Sequence, residues 1–422
     1  MSDPLPGSET SSLPHAVFLR RLAGTRERSV EARLGRAAFV ALRLVDLLQE
    51  QAVPAAAFHY QHGATGRACQ GFPADCTEAA HLTGVVASAA DAFQTRDIRL
   101  LFPALFAYAH FLEDELRLEE ALDVLDTLQR VTGEVLRADD QIAARLRTAR
   151  VLRKLNRFDE AQGAYEEGRA LAAAAGDRHS DLLSRIGQGY VVTARGNLPE
   201  AENRLRAVLA DAETLGDREA QALAHQGVAV ALTSGGQPLD AIPHLWQAFQ
   251  RYQDDIQRAR ALTDLGGLLL IVGDTRAAER ALTEAIRRGG NQDFTRNAMI
   301  ELMSCASFRR DRVGFERWRE RCEAAAELMP PNIHADFMLK AAIGWARFGL
   351  LDRAEKLLTD GLRLAEAAGL HEFTFRIERI KAGLNACDCK DRVDETSPSP
   401  PGTDVRWESV REVSASLARL EA

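Results

Sequence analysis

Residues 155–177, LNRFDEAQGAYEEGRALAAAAGD, decide the fold, because their pattern returns almost in register forty residues further on. Ala161 sits near the start of the amphipathic run. Equivalent alanines fall at Ala121, Ala201 and Ala241, each forty residues from the next, and the series continues through Ala278, Phe315 and Ala354 at spacings of 37, 37 and 39. Twelve residues before the seven anchors stand Ala109, Ala149, Gly189, Ala229, Gly266, Met303 and Ala342, small in every unit but the sixth. Two small residues at that separation let two antiparallel helices cross with their backbones close together.

Glycines mark the corners. Gly196, Gly236, Gly273 and Gly349 stand five residues before their anchors, where a turn needs a left-handed backbone; Leu116, Asn156 and Arg310 hold that place in the other three units. Gly176, Gly216 and Gly369, fifteen residues after their anchors, read as helix stops. Leu125, Tyr165, Leu205, Leu245, Leu282 and Leu358 lie four residues after the anchor and so share its face. Asn197, Asp274 and Asp311 precede second helices as N-caps, with Glu200 completing a capping box on Asn197.

A hairpin of this kind cannot bury its apolar face alone and must stack on its neighbours. Small residue, turn, alanine and glycine stop, repeated at 37 to 40 residues, resemble the tetratricopeptide repeat family over about residues 101–370. The long units are similar to those in the sensor portions of some bacterial signal-transduction regulators. The family's large aromatic in the first helix is mostly missing. The resemblance implies an all-α fold, a right-handed α-α superhelix of about seven hairpins with capping helices at both ends.

Around the array the chain divides further. Residues 1–13, rich in Pro, Gly and Ser, read as a disordered lead. Residues 14–96 read as a helical N-terminal cap or degenerate repeat, with helices over 13–22, 30–51 and 77–93 and an irregular connector over 52–76. Seven repeats fill 97–370, a capping helix 371–390, and a Ser/Pro/Gly linker 391–403. Residues 404–422 form an amphipathic helix whose stripe is Val410, Val413, Leu417 and Leu420. That helix could cap the array, fill its groove, or provide a seam for self-association.

Composition narrows the function. A net charge of −8 and a pI near 5.8 argue against a nucleic-acid binder, which would carry a basic face. No apolar run reaches the ~18 to 20 residues of a membrane span. The N-terminus lacks an export signal, and the six cysteines form no even framework, so reduced thiols and a cytoplasmic location are expected. His59, His62, Cys69 and Cys76 are the one weak candidate metal set; they lack the short Cys-x-x-Cys spacing of a persuasive zinc site. Cys387 and Cys389 have no histidine nearby. The glycines of His62–Gly71 follow no strand and no lysine completes a phosphate loop. Neither an enzyme nor a cofactor is expected.

Function is then sought on the surface made by the first helices of the units. Groove positions carried over from the resembled family include Phe106, His110, Glu113, Asp114, Arg150, Arg153, Lys154, Tyr190 and Gln226. Arg150, Arg153 and Lys154 place three cations on one turn beside Tyr190, suiting an acidic peptide or a terminal carboxylate. Pairing with local acids such as Glu166 and Glu167 would instead make them an ordinary solvated face. The expectation is a non-catalytic scaffold binding a peptide or protein partner. The alternative is a regulatory or sensor module acting through a separate effector chain.

Overall fold

The computed structural model describes residues 13–22, 29–49, 53–289, 292–326, 329–386 and 405–420. Most of the lead, the linker 391–403, and Cys387 and Cys389 lie outside these. Every regular element among the described residues is helical. The chain divides into two compact units, one ending at Val191 and the other beginning at Val192.

Unit 1 opens with a short helix α1 (Ala16–Leu19), followed by α2 (Val30–Asp46), α3 (Ala55–Ala68) and α4 (Thr77–Thr95). The hairpins α5 (Leu101–Asp114) with α6 (Leu118–Thr132), and α7 (Ala138–Lys154) with α8 (Phe158–Ala175), come next. Helix α9 (Arg178–Ala194) carries the chain across the boundary. Unit 2 continues with α10 (Leu198–Leu215), then pairs α11 (Arg218–Ser234) with α12 (Pro238–Arg251) and α13 (Asp255–Ile271) with α14 (Thr275–Arg288). Helices α15 (Gln292–Phe308) and α16 (Arg312–Ala324), then α17 (Pro331–Arg347) and α18 (Leu351–Ala367), complete the hairpins. After them stand α19 (His371–Ala386) and α20 (Val405–Leu420).

The periodic residues hold these hairpins together. All seven anchors, Phe315 included, are 0% exposed. Phe315 fits where the other units have alanine because α17 offers it a glycine: a Cβ on Gly344 would lie 2.2 Å from a Phe315 ring carbon. Two of the residues four after the anchor reach into the next first helix, while Leu282 packs on Gly266 of its own hairpin. Tyr165 packs where a Cβ on Gly187 would stand 2.1 Å away, and Leu205 where one on Gly227 would stand 2.8 Å away. Close packing of this sort leaves no room for a methyl group.

The turns follow one geometry whatever residue fills them. Gly196, Gly236, Gly273 and Gly349 have positive φ, and so do Leu116 at 58°, Asn156 at 60° and Arg310 at 58°. Packing on both sides imposes the left-handed turn even where a side chain makes it costly. The pair Gly176-Asp177 stops one helix and starts the next. The Asp177 N–H reaches back to the Ala172 carbonyl at 2.9 Å, while its carboxylate accepts from the Ser180 N–H at 3.0 Å. Gly216 and Asp217 repeat the device, Asp217 accepting from the Ala220 N–H at 2.9 Å. Asp274 and Asp311 cap α14 and α16 as expected. Asn197 makes no side-chain cap, and Glu200 accepts from Arg204 instead, so the expected capping box is absent.

Two other expectations need correction. The connector 52–76 is not irregular, since residues 55–68 form α3. Its inward stripe is Phe58, the half-buried His62, Thr65 and Cys69, at spacings of four, three and four. That is a helical face built with one large apolar residue, so no apolar period stood out. The stripe of α20 is also committed. Val410, Val413 and Leu417 are buried, α20 rests on the second helices α12 and α14, and the Ser414 hydroxyl donates to Asp274 Oδ2 at 2.7 Å. It neither caps the last hairpin nor lies along the first helices, and its apolar face is not free to seam two copies.

Candidate functional site

The first helices α5, α7 and α9 supply the candidate site in unit 1. Arg147, Arg150 and Lys154 are spaced by three and four residues and so project from one face of α7. Facing them on α5 is Glu113, eight residues before its anchor, the same register as Arg153 in the following unit. Equivalent positions of neighbouring hairpins thus bring an acid against a basic turn.

The Glu113 side chain is 0% exposed and accepts from three cations: Arg147 Nη1 at 2.6 Å, Arg150 Nε at 2.6 Å and Lys154 Nζ at 2.7 Å. Burial by itself would push its carboxyl up, but Arg150, Lys154 and Arg147 outweigh that and hold it down at about 2. Lys154 also falls below its ordinary value: burial lowers it, and Glu113 offsets only part of the fall. Around this pair of elements the remaining groups are ordered too. Arg147 lies over the Phe106 ring at 5.6 Å, and Arg153 over the Tyr190 ring at 5.1 Å. Arg153 Nε has no hydrogen-bond partner. His110 Nδ1 stands 3.0 Å from Asp114 Oδ2.

The basic turn expected from Arg150, Arg153 and Lys154 is therefore formed, and Tyr190 stands beside it. Its local acid, however, is neither Glu166 nor Glu167. Glu166 accepts from Gln162, and Glu167 pairs with Arg145 at 3.1 Å. The acid is Glu113, whose role as counter-ion the sequence reading missed together with Arg147. The available signal was register: residue 113 and residue 153 occupy the same place forty residues apart.

Gln226 belongs elsewhere. It lies in unit 2 and is 2% exposed, accepting from the Tyr252 hydroxyl at 2.5 Å and donating to Asp264 Oδ2 at 3.2 Å. It ties α11 to α13 and presents no surface to a partner. In the same unit His225 and His244 meet Nδ1 to Nδ1 at 2.9 Å across α11 and α12.

The weak metal candidates are not brought together. His59 and His62 flank the Phe58 ring at centroid distances of 6.1 and 6.2 Å, His59 facing outward, while Cys76 lies beyond the end of α3. Among the described residues no three His, Cys, Asp or Glu side chains gather as an ion would need. Burial pushes the Cys69 thiol up to about 11 and those of Cys305 and Cys322 up to about 12, so none of the three is a thiolate nucleophile near neutral pH. No helix among the described residues is long and apolar enough to cross a membrane.

No protein-family model matches the chain, and no curated protein matches it. Solved structures do. A Rap protein complexed with Competence and Sporulation Factor is 10% identical, overlapping 84% of this chain and 98% of its own at a TM-score of 0.46. The apo quorum sensor NprR from B. thuringiensis is 11% identical, with 85% and 99% covered at 0.45. NprR in complex with its cognate peptide NprX is 12% identical, with 93% and 100% covered at 0.44. At such identity and overlap, activity does not carry from one chain to another.

Proposed function

We propose that the chain is a non-catalytic adaptor that holds an acidic segment of a peptide or protein partner against the first helices of unit 1. The observation that supports this reading is the surplus of cations around Glu113. One buried carboxylate fixes Arg147, Arg150 and Lys154 in place, and Arg153 is added beside them on Tyr190. Preorganised guanidinium and ammonium groups beside aromatic rings suit carboxylate-bearing peptides, through charge-assisted hydrogen bonds and stacking. Output passes through whatever chain carries that segment.

The test is fluorescence anisotropy of the full-length protein with a fluorescein-labelled nine-residue peptide carrying three glutamates, against the same peptide with three lysines. The glutamate peptide should bind, lose affinity as salt rises, and lose at least tenfold in the double variant Arg150→Gln, Arg153→Gln. Arg147 and Lys154 remain in that variant to neutralise Glu113, and circular dichroism checks that it folds. Equal affinity for both peptides, or an unchanged affinity in the variant, would overturn the reading.

A further inference from the structure

Resting on that reading, we infer that the group seated on α7 is a doubly charged oxyanion, a phosphoryl group carried on a hydroxyl side chain of the partner. The argument is one of charge. Arg147, Arg150, Arg153 and Lys154 face two carboxylates, Glu113 and Asp114, which leaves two positive charges unbalanced on this face. In the open site water screens them. When a partner covers the cluster that screening is lost, and each uncompensated charge becomes costly. A single carboxylate balances one of the two; a phosphate dianion balances both.

The donors fit the same group. Arg150 meets Glu113 through Nε alone, and Lys154 and Arg147 each through one nitrogen, so further N–H groups remain on all three. Arg153 Nε is itself buried, so this arginine adds its charge rather than that N–H. Two guanidinium forks and an ammonium can reach three phosphoryl oxygens at once, more than a carboxylate offers. Tyr190 adds a flat apolar wall on α9. No bond is made or broken at the site.

This chemistry has a signature in pH. A phosphate monoester dianion takes up one proton near pH 6 and so is a monoanion at pH 5. The groups facing it are His110, Glu113 and Asp114 on α5, the three arginines and Lys154 on α7, Tyr165 on α8 and Tyr190 on α9. Glu113 and Asp114 are held below the usual carboxylate range, and burial holds the Tyr165 hydroxyl above its usual value. His110 acts on any bound anion alike, so a comparison of two peptides cancels it.

Three labelled nonapeptides, identical except for a central phosphoserine, glutamate or serine, separate the possibilities when titrated by anisotropy into the full-length protein at pH 7.5 and pH 5.0. At pH 7.5 the phosphoserine peptide should bind about tenfold more tightly than the glutamate peptide, with inorganic phosphate competing. At pH 5.0 that ratio should fall to about two. The variant Arg150→Gln, Arg153→Gln should abolish the preference. Equal binding of phosphoserine and glutamate at both pH values overturns the phosphoryl assignment and leaves the acidic-segment reading standing. Binding of the serine peptide as tightly as the other two overturns both.

Discussion

Acid should weaken unit 2 through one pair of side chains. His225 on α11 and His244 on α12 share a single Nδ1 to Nδ1 contact of 2.9 Å, so one ring must donate and the other accept, and both sit neutral in the fold. Burial lowers them first. The His244 ring and then Arg251 and Arg206 add to it for His225, while Arg206 alone adds to it for His244. The result is about 3 for His225 and about 4 for His244. In the unfolded chain both titrate near 6.5. The unfolded state therefore binds protons first as pH falls. Stability from the pair is complete above pH 6.5 and is lost progressively down to about pH 3 to 4. At pH 5, about 1.5 units below the unfolded value, two histidines contribute a loss of about 4 kcal/mol. All four tryptophans, at 246, 318, 345 and 407, belong to unit 2, so tryptophan fluorescence during urea unfolding reports that unit. The native chain should lose about 4 kcal/mol more between pH 7.5 and pH 5.0 than the variant His225→Asn, His244→Asn, whose amides keep a neutral hydrogen bond. An equal loss in the two proteins would show that the pair is not buried neutral, and the reasoning would fail.

Other perturbations follow from the same packing. Gly187→Ala drives a methyl group into the Tyr165 ring and should cost about 1 to 3 kcal/mol, seen as a lower thermal midpoint by circular dichroism. Glu113→Ala leaves three cations around an empty centre and should cost about 3 to 5 kcal/mol. With Glu113 held at about 2 and its unfolded value near 4.5, its contribution is present above pH 4.5 and disappears as pH falls towards 2. An acid titration of unit 1 comparing native and Glu113→Gln chains measures it. Val413→Asp should release α20 from α12 and α14, making residues 405–420 sensitive to brief proteolysis while the hairpins stay resistant.

The hairpins were legible because each carries its own punctuation. An anchor alanine, a glycine stop and a large residue four positions on are local signals; the structure buries the first and third and ends the helix at the second. The left-handed turns at Leu116 and Arg310 were legible only by register, since nothing in those residues asks for such a backbone, whereas Asn156 tolerates it. Helix α3 was hidden because its inward face is Phe, His, Thr and Cys, where polar residues stand in for apolar ones. The basic turn was visible as three charges, but its counter-ion lies in another hairpin. Distance along the chain conceals such a pair until the forty-residue period is applied to charges as well as to small residues. Gln226 fails for a related reason. Register places it on a first helix, but whether it points to solvent or into the seam depends on Tyr252 and Asp264, which the period does not reveal.

Where the partner lies can be read directly. A glutamate-bearing nonapeptide with one benzoylphenylalanine, irradiated with the full-length protein and mapped by mass spectrometry, should mark residues 106–114, 147–154 and 190, and rising salt should erase those marks. Cross-links spread over the second helices, or confined to unit 2, would contradict the account.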